Sequence, residues 1–513
     1  MAYEVWPDVE KLLHYAIQYG LLDEQDRICA QNQMLDILQL PQPGEATQNC
    51  LEGEDDVSVL LGRIVADAAA RGVCGDTYTE RTLLDTRIMG VFCPRPSEVT
   101  ARFYELWQSR NSRAATDWFY DFCRKIYYIR TAEVARSIAW TSPSDYGELQ
   151  ITINLSKPEK DPREVAKLKD LVSTSYPKCM LCKENVGYAG RLNHPARQTL
   201  RTIPLKLNGE NWFFQYSPYV YYNEHCIVVC DEHRPMNVCA ATFRRLFDFV
   251  GQFPHYFIGS NAGLPIVGGS ILDHDHFQGG RHTFPMENAP AWARLRDAQY
   301  PGVRIEFIRW PMAAVRLTGP GRDQVTAIAE RIAQAWEGYT DESIGVLAQT
   351  EGTPHNAITP IARKKGENWQ LDIVFRSNLT SPEHPLGNFH PHEKLHHIKR
   401  ENIGLIEVMG LFILPGRLQK ELAAVQAVLC GAAIAPEAAQ EGHPLHLHLD
   451  WLHELIARYG QNLSPEQAQE VIHKEVGQIG QEILADAGVF KDTPEGRAAQ
   501  LRFAKACGLE VLD

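Results

Sequence analysis

The sequence predicts an α+β protein, with two α+β units of mainly antiparallel sheet in the middle of the chain and helical segments at both ends. Three observations predict it. Residues 1–145 place apolar side chains three and four apart, as in Val9, Leu12 and Leu13 and later Phe119 and Phe122, the spacing of a helix face. A period of two then takes over at Leu149-Gln150-Ile151-Thr152-Ile153-Asn154-Leu155, which suits a half-buried strand. From there to about residue 420, strand-like and helix-like stretches run in a similar order twice.

The first unit is expected over 146–298. Trp212-Phe213-Phe214, Tyr219-Val220-Tyr221-Tyr222 and Cys226-Ile227-Val228-Val229-Cys230 are rich in β-prone residues, and 240–253 reads as an amphipathic helix. The second unit, 299–420, repeats the order with strand-like 303–308, helical 324–336 and strands at 345–349 and 369–375. Repetition is weak residue by residue, so duplication is an expectation from element order alone. Helices are expected again over 421–513, where Ser464-Pro465-Glu466-Gln467 joins an N-cap serine, a proline at the first helical position and a reciprocal glutamine. Ile472, Val476, Ile479 and Ile483 mark the apolar face that follows.

With 51 basic and 64 acidic residues the net charge is −13, which disfavours a nucleic-acid partner held by phosphate neutralisation. The N-terminus lacks the basic start and apolar core of a signal peptide, and the longest apolar run, 403–414, contains Glu407 and is too short to span a bilayer. A cytoplasmic protein without a membrane segment is expected.

The most informative stretch is Gly268-Gly269-Ser270-Ile271-Leu272-Asp273-His274-Asp275-His276-Phe277-Gln278-Gly279-Gly280. On a strand, His274, His276 and Gln278 share one side and Asp273, Asp275 and Phe277 the other. Flanking glycines permit positive φ, so the backbone N–H groups of Gly268, Gly269, Gly279 and Gly280, with Ser270, are candidates for an anion cradle. A neutral imidazole can attack phosphorus and later release the group, which makes His276 a candidate nucleophile. Gln278 does not titrate near neutrality and can hydrogen-bond a phosphoryl oxygen without protonating it. A second His-x-His, His446-Leu447-His448, has no glycine cradle around it and is expected to be helical surface histidines.

Cys179-Met180-Leu181-Cys182 has the knuckle spacing of a zinc site, but two thiolates are half of one. His194, His225, His233 and His274 are the nearest later candidates for the remainder, and two buried cysteines by chance are the alternative reading.

Together these residues resemble the galactose-1-phosphate uridylyltransferase family of the histidine-triad superfamily, in its longer bacterial class II form. The resemblance covers roughly 146–420. The family's active strand pairs a Gly-x-Ser segment with His-x-His-x-Gln. It implies that His276 accepts the uridylyl group, that Gln278 binds phosphate, and that Asn261 in Gly259-Ser260-Asn261-Ala262-Gly263 contacts the nucleotide. By position it implies a structural zinc on Cys179, Cys182, His233 and His274. Lys157 and Lys160 share the spacing of a basic phosphate-binding pair, although surface lysines fit as well, and Glu407 matches a hexose-contacting glutamate.

The chain also departs from class I. One extra residue separates Ser270 from His274, and Asp275 stands where class I has proline. Trp369-Gln370-Leu371 is followed by Asp372-Ile373-Val374 where class I carries a metal-binding His-x-His, so a second metal is not expected there. His390, His392, His396 and His397 are out of register and read as a polar loop or a contribution to the sugar phosphate.

The resemblance implies two histidine-triad-like units and a reaction in which UDP-glucose uridylylates His276 and galactose 1-phosphate then takes the group, giving UDP-galactose and glucose 1-phosphate. It implies small-molecule substrates, no organic cofactor and a homodimer. Two alternatives stand beside it. A histidine-triad hydrolase or phosphorylase is opposed by Gln278, since such hydrolases usually have a third histidine there. A non-enzymatic zinc-stabilised binding protein would leave the glycine-flanked strand without a purpose.

Overall fold

A computed structural model describes residues 5–45, 56–156 and 174–512. Helices fill the N-terminal segment, from Trp6–Gln18 through Pro96–Ser109 and Ser112–Lys125, before the first strand. Their starts follow capping chemistry. Thr77 and Glu80 form a reciprocal capping box, and the Asn111 side chain accepts from the Ala114 N–H.

A three-stranded sheet follows, in which β1 (Ile138–Ser144) pairs with β2 (Gly147–Ile153). The main strands are then β3 (Ile203–Leu207), β4 (Glu210–Tyr216), β5 (Cys226–Cys230), β6 (Phe257–Gly259), β7 (His276–Gly280), β8 (Ala291–Arg296), β9 (Arg304–Ile308) and β10 (Ala314–Gly319). A short hairpin, β11 (Gln349–Thr350) with β12 (Thr353–Pro354), precedes β13 (Asn356–Lys365) and β14 (Asn368–Ser377). The strand β15 (Leu411–Leu414) runs parallel to β2, and β16 (Glu510–Leu512) comes near the end of the chain.

Eleven of these form one antiparallel sheet in the order β16-β8-β9-β10-β14-β13-β6-β7-β5-β4-β3. The same order of elements occurs twice along it. Each unit runs as a three-strand meander, a helix (Ala240–Gln252 or Arg322–Glu337), an edge strand and a last strand inserted between the meander and that edge. The order is therefore β3-β4-β5-β7-β6 in one unit and β8-β9-β10-β14-β13 in the other. The two edge strands pair with each other, Ile258 opposite Ala362, which joins the units into one sheet and removes two exposed edges.

One face packs on the two helices and the N-terminal segment, through Phe214, Val228, Phe277, Leu317, Leu371 and Phe375. The other meets β15 and the helices Leu418–Leu429, Leu449–Tyr459 and Pro465–Ala487 through Phe257, Ile308, Ile361 and Val374. In the helix Pro465–Ala487, capped by Ser464 and Gln467 as expected, Ile472, Val476, Ile479 and Ile483 are buried in that second core. Each contributes roughly 1.5–3 kcal/mol of transfer free energy.

Several expectations are corrected. Tyr219–Tyr222 is not a strand: Pro218 lacks a donor N–H, and Val220 has φ 42°, which turns the chain. Residues 345–348 are a turn and bend after a short 3-10 helix, and a strand begins only at Gln349, in β11. The sheet of the second unit starts at Ala291, before residue 299, because β8 pairs with β9. The C-terminal segment is not wholly helical, since β16 pairs with β8. His446–His448 form a 3-10 turn in which His448 is fully buried, not a surface histidine.

Candidate active site and metal cluster

The glycine-flanked stretch becomes a strand only at His276, and residues 268–275 are a loop. From His274 to Gln278 side chains alternate as expected, whereas Asp273, expected beside Asp275, lies 3.6 Å from His233. Asp275 faces Arg245 of the helix Ala240–Gln252, and Phe277 stacks on Trp212 at 4.8 Å on the same side. His274, His276 and Gln278 face away from that helix.

His274 belongs to a cluster. Its Nδ1 lies 3.2 Å from the Cys179 sulfur and 3.7 Å from the Cys182 sulfur, which in turn is 3.1 Å from His233 Nδ1. The four ligand atoms lie within 4.8 Å of one another, and among the described residues no other group of metal-capable side chains converges in this way. Two sulfurs and two imidazole nitrogens suit a soft, tetrahedral divalent ion. The knuckle is braced from outside, because Asn185 donates to the carbonyls of Cys179 and Cys182 and meets His194 Nε2 at 2.6 Å. His194, a candidate ligand by sequence, thus orients the knuckle rather than joining it.

His274 of the loop and His276 of the strand use opposite nitrogens. His274 Nε2 donates to the Cys230 carbonyl at 2.8 Å, leaving Nδ1 for the cluster. His276 Nδ1 donates to the His274 carbonyl at 2.8 Å, leaving Nε2 with its lone pair. Burial lowers the His276 pKa, and the bond to that carbonyl opposes the effect.

Gln278 lies opposite Ile227 of β5 and Gly259 of β6. Its Oε1 is 3.3 Å from Nε2 of His225, a residue considered from sequence only as a metal ligand. Tyr221 stacks on the His225 ring at 5.3 Å, and burial pushes the Tyr221 hydroxyl up to about 12, with further upward contributions from Tyr219 and Glu407.

The flanking glycines answer mostly to close packing. A Cβ on Gly268 would sit 2.6 Å from two backbone oxygens, and one on Gly269 2.9 Å from the Asn261 amide. Positive φ, expected for the glycine pairs, occurs among these four only at Gly280. Ser270 is exposed beside them. Asn261 is buried, and its Oδ1 accepts from the Leu405 N–H at 2.8 Å, which ties the segment carrying Glu407 to the end of β6. Glu407 is held by Lys399 at 3.1 Å and by the Gly404 N–H. Arg376 of β14 is buried nearby and donates to the Ile403 carbonyl; burial lowers its pKa to about 10 against the pull of Glu407. The signal for Arg376 in sequence is the polar alternation Gln370, Asp372, Arg376 along an otherwise apolar strand.

Lys157 and Lys160 fall outside the described residues. The histidines at 390–397 do not converge: His390 is buried beside its neighbour's carbonyl, His392 lies 3.4 Å from Asp486, and His397 bonds His448, which bonds Glu421.

Comparison with known proteins adds the following. The chain matches the family model "Galactose-1-phosphate uridyl transferase, N-terminal domain" over 26–235 and its C-terminal-domain counterpart over 249–450. It is 48% identical to a galactose-1-phosphate uridylyltransferase of Caldanaerobacter subterraneus, over 98% of each chain. The enzyme of the same name from Bacillus subtilis is also 48% identical, over 98% of this chain and 97% of its own, and one from Streptococcus pneumoniae is 44% identical over 98% and 99%. A crystal structure of yeast Ap4A phosphorylase overlaps 57% of this chain and 86% of its own at 13% identity, with a TM-score of 0.30, too loose to bear on the chemistry.

Proposed function

The chain belongs to the galactose-1-phosphate uridylyltransferase family, and from that premise we propose that it transfers a uridylyl group from UDP-glucose to galactose 1-phosphate through a covalent intermediate on His276. The observation that carries the proposal is the Nδ1 bond of His276 to the His274 carbonyl, which leaves Nε2 as the free nucleophile.

Nε2 attacks the α-phosphorus, the bond from that phosphorus to the bridging oxygen breaks, and glucose 1-phosphate leaves with the electron pair. A phosphate oxygen of galactose 1-phosphate then attacks, the P–N bond breaks, and the imidazole is restored. The leaving group is a stable phosphate anion, so no strong general acid is required. Gln278 fits this chemistry as a neutral donor to phosphoryl oxygens. We assign the nucleotide contact to Asn261, anion contacts to Gly268, Gly269, Ser270, Lys157 and Lys160, and the hexose contact to Glu407.

The donor set of Cys179, Cys182, His233 and His274 fits zinc, and with four protein ligands no coordination position is left for substrate, so the ion has a structural role. Bound there, it supplies a fixed anchor for His274, whose carbonyl in turn orients His276. No helix among the described residues is long and apolar enough to cross a membrane. We place the protein in the cytoplasm as a homodimer.

Isotope exchange tests the proposal. With UDP-glucose and labelled glucose 1-phosphate alone, a covalent intermediate predicts label moving into UDP-glucose before any galactose 1-phosphate is added. Exchange that requires the second sugar phosphate, or steady release of UMP, would overturn it.

A further inference from the structure

His225 touches neither the cluster nor His276, and its ring is held tightly. It packs against Tyr222 at 4.6 Å and Tyr221 at 5.3 Å, and Tyr222 is itself tied by its hydroxyl to the Gly279 carbonyl. Its Nε2 reaches one group, Gln278 Oε1 at 3.3 Å, while its Nδ1 is buried without a partner.

A primary amide has two ends of nearly equal shape and opposite polarity, so only its hydrogen-bond partners decide which end faces a ligand. A glutamine presenting Oε1 to a phosphoryl group would repel it, and one presenting its N–H groups stabilises it. We infer that His225 is a positioning residue: as the Nε2–H tautomer it donates to Gln278 Oε1 and so turns the amide N–H groups toward the phosphoryl oxygens at His276. The other tautomer would bury an N–H at Nδ1 with nothing to accept it, the costlier defect. Burial, opposed by the Gln278 bond, lowers the His225 pKa to about 4, so the ring stays a neutral single donor through the working pH range.

The inference rests on His276 being the uridylyl acceptor, and the test separates the two. The single-turnover rate of uridylylation and the UDP-glucose Kd are measured for wild type, His225→Phe, His225→Asn, Gln278→Ala and His225→Phe/Gln278→Ala. His225→Phe keeps a planar ring without a donor and is expected to slow uridylylation about 10- to 100-fold, the usual range for a partner of a site residue, with little change in Kd. His225→Asn, which offers an N–H, recovers part of the rate.

In the Gln278→Ala background the phenylalanine is expected to cost no more than about twofold, because the interaction it removes is already gone. Equal losses in both backgrounds, or no loss in the single variant, would overturn the inference. If wild type forms no adduct, or Gln278→Ala is unaffected, the fault lies in the reading beneath it. Should His225→Phe fail to fold, His225→Ala reads the same coupling.

Discussion

In the first unit the inserted strand β7 presents His276 and Gln278 on the face turned away from its helix; in the second, the equivalent strand β14 presents Gln370, Asp372 and Arg376 on the same face. Two members of the second set, Asp372 and Gln370, are engaged by arginines of the neighbouring strands. Arg316 donates to both Asp372 oxygens at 2.7 and 2.9 Å, and Arg363 donates to Asp372 and Gln370 at 2.7 and 2.9 Å. The first set is left open, since the structure gives His276 Nε2 no hydrogen-bond partner among the described residues. One scaffold, used twice, thus ties down the carboxylate of Asp372 in one unit and leaves the imidazole Nε2 of His276 available in the other. The first unit instead carries, at the entry to β7, a Cys2His2 cluster that could hold a metal ion.

The comparison breaks most visibly at the open strand. His276→Ala is expected to lower uridylyl transfer by at least about 10⁴-fold, as for loss of a covalent nucleophile, with the thermal midpoint unchanged. A comparable fall in midpoint would mean that His276 is structural. In the closed strand the effect should reverse. Asp372→Ala leaves two buried guanidinium groups uncompensated and should cost about 3–5 kcal/mol of stability, while activity per folded molecule, read well below the midpoint, persists.

Removal of the cluster is expected to fall between these. Cys182→Ser should lose bound metal on elemental analysis and about 10- to 100-fold in activity through the loosened His274. Unchanged metal content would remove the cluster from the account.

The smallest effect is in pH, and it sharpens the contrast by window. The His225 pKa is lowered from 6.5 to about 4, so between those values the unfolded chain holds a proton that the folded chain refuses, and stability falls as pH falls. Asp372 is held at about 2 against an ordinary 3.8, with the two arginines overcoming its burial. Its contribution is complete above 3.8 and is lost as pH drops toward 2. Unfolding measured against pH should therefore flatten between 6.5 and 4 in His225→Phe, and below 4 in Asp372→Asn. The opposite pairing would contradict both assignments.

How much of this could be read in advance depended on how local the cause was. β5, the helix Ala240–Gln252 and the Ser464 cap follow from spacing within a few residues, and each came within a residue or two of expectation. β16 did not, because Glu510–Leu512 is a strand only through the edge of β8. His448 was misread because its burial comes from Glu421 and His397, distant in sequence. At the site, the alternation of His276 and Gln278 against Phe277 was visible in the strand itself. The Cys179–Cys182 pair was visible as half a cluster, and only family likeness supplied His233 and His274. His225 illustrates the limit, since its partner Gln278 lies two strands later in the chain and becomes a neighbour only when β5 pairs with β7.

The most direct test is to incubate the protein with UDP-glucose alone and map the uridylyl group by mass spectrometry. The account predicts one uridylyl group per chain on His276, with an equal amount of glucose 1-phosphate released and no label on β14. A full adduct in His276→Ala, or label on any other residue in wild type, would contradict it.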